Sequence, residues 1–275
     1  MYIAYHFTIT PKEPGTEILL AELEYTPFES FEETDFGLSA YVQKQLHTTD
    51  ILSEVMILDN PEFKITYQTE EIPTVNWNEE WEKNFSPIIV NNECVIRAPF
   101  HDAFDYQYEI IIEPKMSFGT GHHQTTYMML KHILDEDFSG KRVLDMGCGT
   151  AVLAILAQKR GAIEVDAIDI DNWCYINSIE NIERNKCENI NIYEGGVELI
   201  SGKQYDIIIA NINRNILLQQ IPDYALTLSK DGLLFLSGFY TEDIPQIDEM
   251  CQKNNLTLLQ TLEKDNWVAL KYQKL

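Results

Sequence analysis

The sequence predicts an α/β protein: a Rossmann-like sheet with helices on both faces, preceded by a small α+β domain of ferredoxin-like strand order. Three observations carry this. From Pro87 on, strand-length apolar runs alternate with helical segments, the pattern of an open, mostly parallel sheet. Residues 143–151, Val-Leu-Asp-Met-Gly-Cys-Gly-Thr-Ala, lead a buried strand through two glycines into a helix. The first 70 residues read β-α-β-β-α-β, the split pattern of ferredoxin-like domains. The expected boundaries are 1–70 for the small domain, 71–86 for a linker helix and 87–275 for the larger domain.

In the small domain, Tyr2 to Ile9 alternates aromatic and polar residues as a strand does, and Pro14-Gly15 opens a helix over Glu17 to Glu24. Phe28 to Thr34 and Leu38 to Gln43 read as strands joined by the turn Asp35-Phe36-Gly37. Asp50 can cap a helix over Ile51 to Leu58 that Asn60-Pro61 ends, and Phe63 to Thr69 closes the unit as a strand. Lys12, Lys44 and Lys64 face 13 acidic residues between Glu13 and Glu70. Such a unit serves recognition, dimerisation or architecture alone, and its residues do not choose among these. Trp77, Trp81 and Phe85 fall on one face of a short connecting helix, a stripe suited to packing.

The larger domain has β segments at Cys94–Ile96 and Tyr108–Glu113, then a helix at Gln124–Leu134. Strands follow at Arg142–Asp145, Val165–Asp169, Ile190–Tyr193, Asp206–Ala210 and Leu233–Leu236. Helices at Val152–Lys159, Asn172–Asn185, Asn215–Leu226 and Thr241–Lys253 intervene. Leu256–Leu262 and Trp267–Tyr272, turned at Lys264-Asp265-Asn266, form a hairpin that places one antiparallel strand in the sheet.

Composition excludes several classes. A formal net charge of −24 opposes binding to nucleic-acid backbones and favours basic partners. Five scattered cysteines without a C-x-x-C pair form neither a disulfide framework nor a zinc knuckle. No apolar run approaches the ~20 residues of a membrane helix, and the N-terminus lacks a signal-peptide pattern. The expectation is a cytoplasmic protein.

Four segments carry chemistry. At Asp145-Met146-Gly147-Cys148-Gly149-Thr150-Ala151, Gly147 and Gly149 permit positive φ and close ligand approach. The third glycine of a dinucleotide motif would fall at Val152 and is absent; the helix is expected to begin at Ala151, giving the D-x-G-x-G-x-A form shared by methyltransferases. Asp169 closes the next strand 22 residues after Gly147, the spacing at which a carboxylate grips a ribose diol, while Asp171 suits the following helix as its cap. Asn211, in Ala210-Asn211-Ile212-Asn213, offers an acceptor and a donor at a strand's carboxyl end. Phe118-Gly119-Thr120-Gly121-His122-His123-Gln124-Thr125-Thr126 opens a helix with glycines and hydroxyls suited to a carboxylate. His122 and His123 are adjacent and unaccompanied, so no metal is expected.

Together these segments resemble the PrmA family, bacterial methyltransferases of large-subunit ribosomal protein eleven, whose signature reads F-G-T-G-T-H-x-T-T, D-x-G-C-G-S-G-I-L-A-I, G-x-D-I-D and A-N-I. The likeness extends to Trp77–Pro87, Leu236-Ser237-Gly238 and Glu263–Trp267; the N-terminal unit agrees only in size and strand order. The resemblance implies a class I fold, S-adenosylmethionine as methyl donor, and methylation of lysine side chains and the N-terminal α-amine of that ribosomal protein; a monomer is expected. It puts cofactor contacts at Thr126, Gly147, Asp169 and Asn211; the glycine-bearing segments themselves add Gly149, Phe118, Gly119 and Thr120 as expected contacts, and Asn211 is expected to orient the amine. It makes the N-terminal domain the substrate reader. Departures are His122 for threonine, Gln124 for proline, and Ala151 and Lys115 for glycines; Lys115 and His122 are expected beside the acceptor pocket. The rival reading is a related methyltransferase acting on another protein lysine or a small amine.

Overall fold

The computed structural model describes residues 1–73, 82 and 84–275. Its contacts divide the chain into two compact units, Met1–Asn84 and Phe85–Leu275. Most of the helix expected over 77–85 lies outside the described residues.

In the N-terminal unit, β1 (Tyr2–Thr10), α1 (Lys12–Leu23), β2 (Ser30–Thr34), β3 (Gly37–Gln43) and β4 (Lys64–Ile72) build a sheet of order β2-β3-β1-β4, antiparallel throughout. This is the split order the sequence predicts. Odd-numbered β1 residues Tyr5, Phe7 and Ile9 point to one face and pack on Leu19 and Leu23 of α1. The helix expected over Ile51–Leu58 is not formed. Turns run to a 3₁₀ segment at Met56–Asp59. Its bonds stay at i→i+3, as in Ser53 N–H to Asp50 O and Leu58 N–H to Val55 O. The reason is competition: Ile57 N–H donates to the Glu22 carboxylate at 3.0 Å, a donor that helical continuation would need. So short a segment gains too little from propagation to win it back.

The C-terminal unit opens with a small sheet, β5 (Ile88–Val90), β6 (Cys94–Arg97) and β7 (Tyr108–Ile111). Then α2 (Gln124–Leu134), β8 (Arg142–Met146), α3 (Val152–Lys159), β9 (Glu164–Asp169), α4 (Asn172–Arg184), β10 (Ile190–Glu194), β11 (Tyr205–Asn211), α5 (Arg214–Thr227), β12 (Leu228–Tyr240), α6 (Ile244–Lys253), β13 (Leu256–Lys264) and β14 (Trp267–Lys274) follow. The seven-stranded order is β10-β9-β8-β11-β12-β14-β13. Every pairing is parallel except those of β14, the antiparallel strand the hairpin predicts. Successive residues of one strand feed opposite cores. Val143, Ile207 and Ile209 pack with α2 and α3, while Leu144, Ile208 and Ala210 pack with α5 and α6.

From β8 the chain proceeds outward to β9 and β10, then returns to the other side of β8 as β11. The strand order therefore reverses between β8 and β11, where Met146 and Ala210 are paired neighbours. Open α/β sheets bind ligands at the carboxyl ends of such a reversal. No described helix is long and apolar enough to cross a membrane.

Candidate functional site

A cavity of about 490 Å³ opens at this reversal. Its walls include Phe118, Gly147, Gly149, Asp169, Trp173 and Asn211. Each arrives at the carboxyl end of a parallel strand or on a loop packed against one, except Trp173, which stands in the first turn of α4.

The loop after β8 is held open by glycine. Gly147 and Gly149 have φ of +71° and +57°. A Cβ on Gly149 would lie 2.2 Å from the Phe118 carbonyl oxygen, so the loops 147–151 and 118–121 touch backbone to backbone. Two hydrogen bonds join them: Thr150 N–H to Phe118 O at 2.9 Å and the Thr150 hydroxyl to Gly119 O at 2.6 Å. Ala151 is not the first helical residue, as the sequence suggested. It is the cap of α3, held left-handed at φ +64°, a conformation its Cβ disfavours by about 1–2 kcal/mol. From α4, Ser178 donates to Gly149 O at 2.8 Å and Asn181 to Thr150 O at 3.1 Å.

Asp169 ends β9 with its carboxylate almost buried. Gly149 N–H donates to Oδ2 at 2.9 Å and Asp171 N–H to Oδ1 at 3.0 Å. Each oxygen keeps a further acceptor position, which suits a diol. Asp171 occupies the cap position of α4 but makes no capping hydrogen bond with its side chain. His123 and Asn213 do cap: they accept from Thr125 N–H in α2 and Ile216 N–H in α5.

Beneath the loop, Asp145 is fully buried. Oδ2 accepts from Ala154 N–H at 3.1 Å, and Oδ1 has no partner among the described residues. Burial, and then the neighbouring Asp169 charge, push its carboxyl up from 3.8 to about 7. A folded-state value above the unfolded one means that the stability contribution is full below about pH 4 and is lost as pH rises toward 7. Asp145→Asn keeps an oxygen for Ala154. It is expected to remove a pH-dependent loss of a few kcal/mol at most, on the order of 1.4 per unit. Thermal midpoints read from pH 5 to 8 should fall for the parent and stay nearly level for the variant; parallel curves would contradict this.

Asn211 ends β11. Its Nδ2 reaches the Thr126 hydroxyl at 3.5 Å, and its Oδ1 is buried without a partner among the described residues. A second, smaller cavity of about 240 Å³ adjoins here, lined by Phe118, His123, Thr125, Asn211, Ile212, Asn213, Gly238 and Trp267. Three of its lining side chains are aromatic rings, Phe118, His123 and Trp267, the last 4.7 Å from His123, ring centre to ring centre. Burial holds the His123 imidazole below its ordinary value, favouring the neutral ring.

Of the residues singled out in the sequence, Phe118, Gly147, Gly149, Asp169 and Asn211 line the larger cavity. Thr126 is buried behind Asn211, and Gly119 and Thr120 hold the loop through Thr150 and His122. Neither Lys115 nor His122 lines either cavity. Lys115 pairs with Glu180 at 2.5 Å, and His122 contacts the Ser86 carbonyl. Sequence reasoning missed Ile170, Trp173 and the Gly195-Gly196 pair after β10. All line the larger cavity, and the glycine pair at a strand's carboxyl end was a usable signal.

The larger cavity fits a nucleoside-bearing cation. No lysine, arginine or histidine is among its described lining residues; Asp169 and Asp171 supply negative charge that favours a cation, and Ile170 and Trp173 supply apolar surface.

Comparison with known proteins agrees. The family model of ribosomal protein L11 methyltransferase (PrmA) matches residues 11–275. A ribosomal protein L11 methyltransferase of Bacteroides fragilis is 44% identical over 276 residues, 98% of this chain and 99% of that protein. One of Porphyromonas gingivalis is 46% identical over 284 residues, 98% of this chain and 97% of that protein. Among solved structures, the ribosomal protein L11 methylase of Lactobacillus delbrueckii subsp. bulgaricus superposes with a TM-score of 0.64 at 27% identity, covering 70% of this chain and 100% of that one. A methyltransferase of Pyrococcus furiosus shares the fold at a TM-score of 0.52 and 20% identity, over 60% of this chain and 89% of that one. With its sheet, glycine loop and strand-end acid in place, the chain belongs to the ribosomal protein L11 methyltransferase (PrmA) family of S-adenosylmethionine-dependent methyltransferases.

Proposed function

We propose that this protein methylates lysine side chains and the N-terminal α-amine of ribosomal protein L11, acting as a monomer in the cytoplasm. The observation that carries the reading is the buried Oδ1 of Asn211, without a partner among the described residues, where the two cavities meet. A buried acceptor without a donor is costly, and a neutral amine N–H entering the smaller cavity supplies one.

S-adenosylmethionine supplies a methyl group on a sulfonium. Asp169 holds the diol, and the loop at Gly147 and Gly149 lets the ligand approach the backbone. Phe118, Trp267 and His123 line the amine's entry and exclude water. An apolar, aromatic entry disfavours an ammonium relative to the free amine, which must form because lysine titrates near ~10.4 in water. The neutral His123 adds no repelling charge to that path. Asn211 then aims the amine's lone pair by accepting its N–H. Alignment and desolvation supply on the order of 7–11 kcal/mol in favourable cases, so no dedicated base is required.

The N-terminal unit reads the substrate. Residues of β1 alternate between the packed face and the opposite one, which carries Glu32, Glu70 and His6, the last 3.6 Å from Glu70. Its acidic balance favours a basic ribosomal protein through complementary charge, and such association weakens as salt rises.

The experiment is mass spectrometry of unmethylated L11 incubated with the full-length protein and S-adenosylmethionine. Methyl additions confined to lysines and the first residue, with KM rising in salt, support the proposal. Modification of a free small amine at a rate equal to or above that of L11, with no salt effect, overturns it.

A further inference from the structure

Two imidazoles grip consecutive carbonyls where the C-terminal unit begins. His101 Nε2 lies 2.5 Å from Phe85 O, and His122 Nε2 lies 2.9 Å from Ser86 O. A carbonyl only accepts, so both Nε2 atoms carry the proton. The remaining nitrogens are engaged as well: His101 Nδ1 accepts from Ala98 N–H at 3.1 Å, and His122 Nδ1 meets the Thr120 hydroxyl at 3.2 Å. The Phe85 ring is near both, 4.4 Å from the His122 ring and 6.2 Å from that of His101.

The two histidines are rooted differently. His101 stands on a turn after β6 that buried Arg97 ties down, donating to Ala98 O and His101 O while pairing with Glu109. His122 stands on the 118–123 loop, and that loop touches the glycine loop through Phe118, Gly119 and Thr150. The contacts therefore run from Ser86 through His122 and the 118–123 loop to Gly149. The covalent path from the N-terminal unit enters the C-terminal one at Phe85.

We propose that His122 is a positioning residue for the cofactor loop, and that its hold on Ser86 makes cofactor affinity and capture of the protein substrate mutually dependent. The second half rests on the reading that the N-terminal unit recognises L11. Linkage requires the two affinities to change by the same factor, and couplings of this kind are roughly 5-fold or more.

The test is calorimetric affinity for S-adenosylhomocysteine on the full-length protein, with and without unmethylated L11. The forms compared are the parent, His122→Ala, His122→Gln and the control Lys115→Ala. In the parent, L11 should tighten binding several-fold. In His122→Ala, affinity without L11 should fall about 5- to 10-fold, the loss of one to two hydrogen bonds and a ring contact. The tightening by L11 should vanish, beyond whatever fall in the ligand-free thermal midpoint the lost bonds cause. His122→Gln, whose amide can still donate to Ser86 O, should keep most of both, and Lys115→Ala all of both. A merely structural role would lower the midpoint of His122→Ala and leave the coupling factor intact, which overturns the proposal. So does a His122→Ala variant with parental affinity and coupling. If L11 neither binds nor is methylated, the substrate reading has failed; the loss of affinity in His122→Ala alone still decides the positioning role.

Discussion

Gly149→Ala is expected to lower affinity for S-adenosylhomocysteine by about two orders of magnitude. Three effects converge on this residue. Its φ of +57° is left-handed, a conformation that costs an L-residue about 1–2 kcal/mol. The new Cβ would sit 2.2 Å from the Phe118 carbonyl oxygen and 3.1 Å from its carbon, so backbone must move rather than a side chain. Such overpacking costs about 1–3 kcal/mol. Movement in turn strains the Thr150 N–H to Phe118 O bond and pulls Gly149 N–H away from Asp169. Together the losses amount to about 3 kcal/mol, on the order of a hundredfold in affinity. Gly147→Ala is the internal comparison. Its Cβ would meet only the Ile212 side chain, Cγ2 at 2.2 Å, and a side-chain methyl can swing aside. That variant is expected to lose about tenfold, mostly from its own positive φ. Calorimetry on both settles the order, and a Gly149→Ala protein binding within a few-fold of the parent would contradict the contact between the loops as the source of the site's shape.

Asn211→Ala should separate binding from turnover. Oδ1 of Asn211 has no partner to lose among the described residues, and the Nδ2 contact to Thr126 is long at 3.5 Å. Ligand affinity should therefore shift only a few-fold. Turnover should fall by a factor of 100 to 1,000, about 2.7–4 kcal/mol, the scale seen when a single well-placed polar group is removed from a reacting centre. Single-turnover rates with saturating S-adenosylmethionine, set beside the dissociation constant of S-adenosylhomocysteine, read the two quantities independently. Full turnover, or a loss of affinity as large as the loss of rate, would remove Asn211 from its role in orienting the amine.

Much of this was legible in the sequence because its signals are local. A parallel strand buried on both faces is a short apolar run, so β8, β9 and β11 stand out, as does the acid or amide at or next to the end of each, Asp145, Asp169 and Asn211. Spacing singles out Asp169 and position at a strand's end singles out Asn211, and both line the larger cavity. What spacing does not supply is direction. Thr126 lies one layer behind Asn211, and Gly119 and Thr120 shape the loop, because chain position says nothing about which way a side chain turns. The smaller cavity was illegible for another reason: His123, Gly238 and Trp267 are far apart in sequence and meet only because β14 inserts beside β12. The helix expected at 51–58 failed at Ile57, whose N–H is taken by Glu22, 35 residues away. Local propensity cannot see such a partner.

The most direct test of the central claim is transfer of label. Full-length protein is mixed with radiolabelled S-adenosylmethionine and the proteins of an unmethylated large ribosomal subunit, which are then resolved by size and charge. Label in one band, that of L11, and its loss with Asn211→Ala, is the predicted result. Label spread over many proteins, or none in L11 from a protein that still binds S-adenosylhomocysteine, would contradict it.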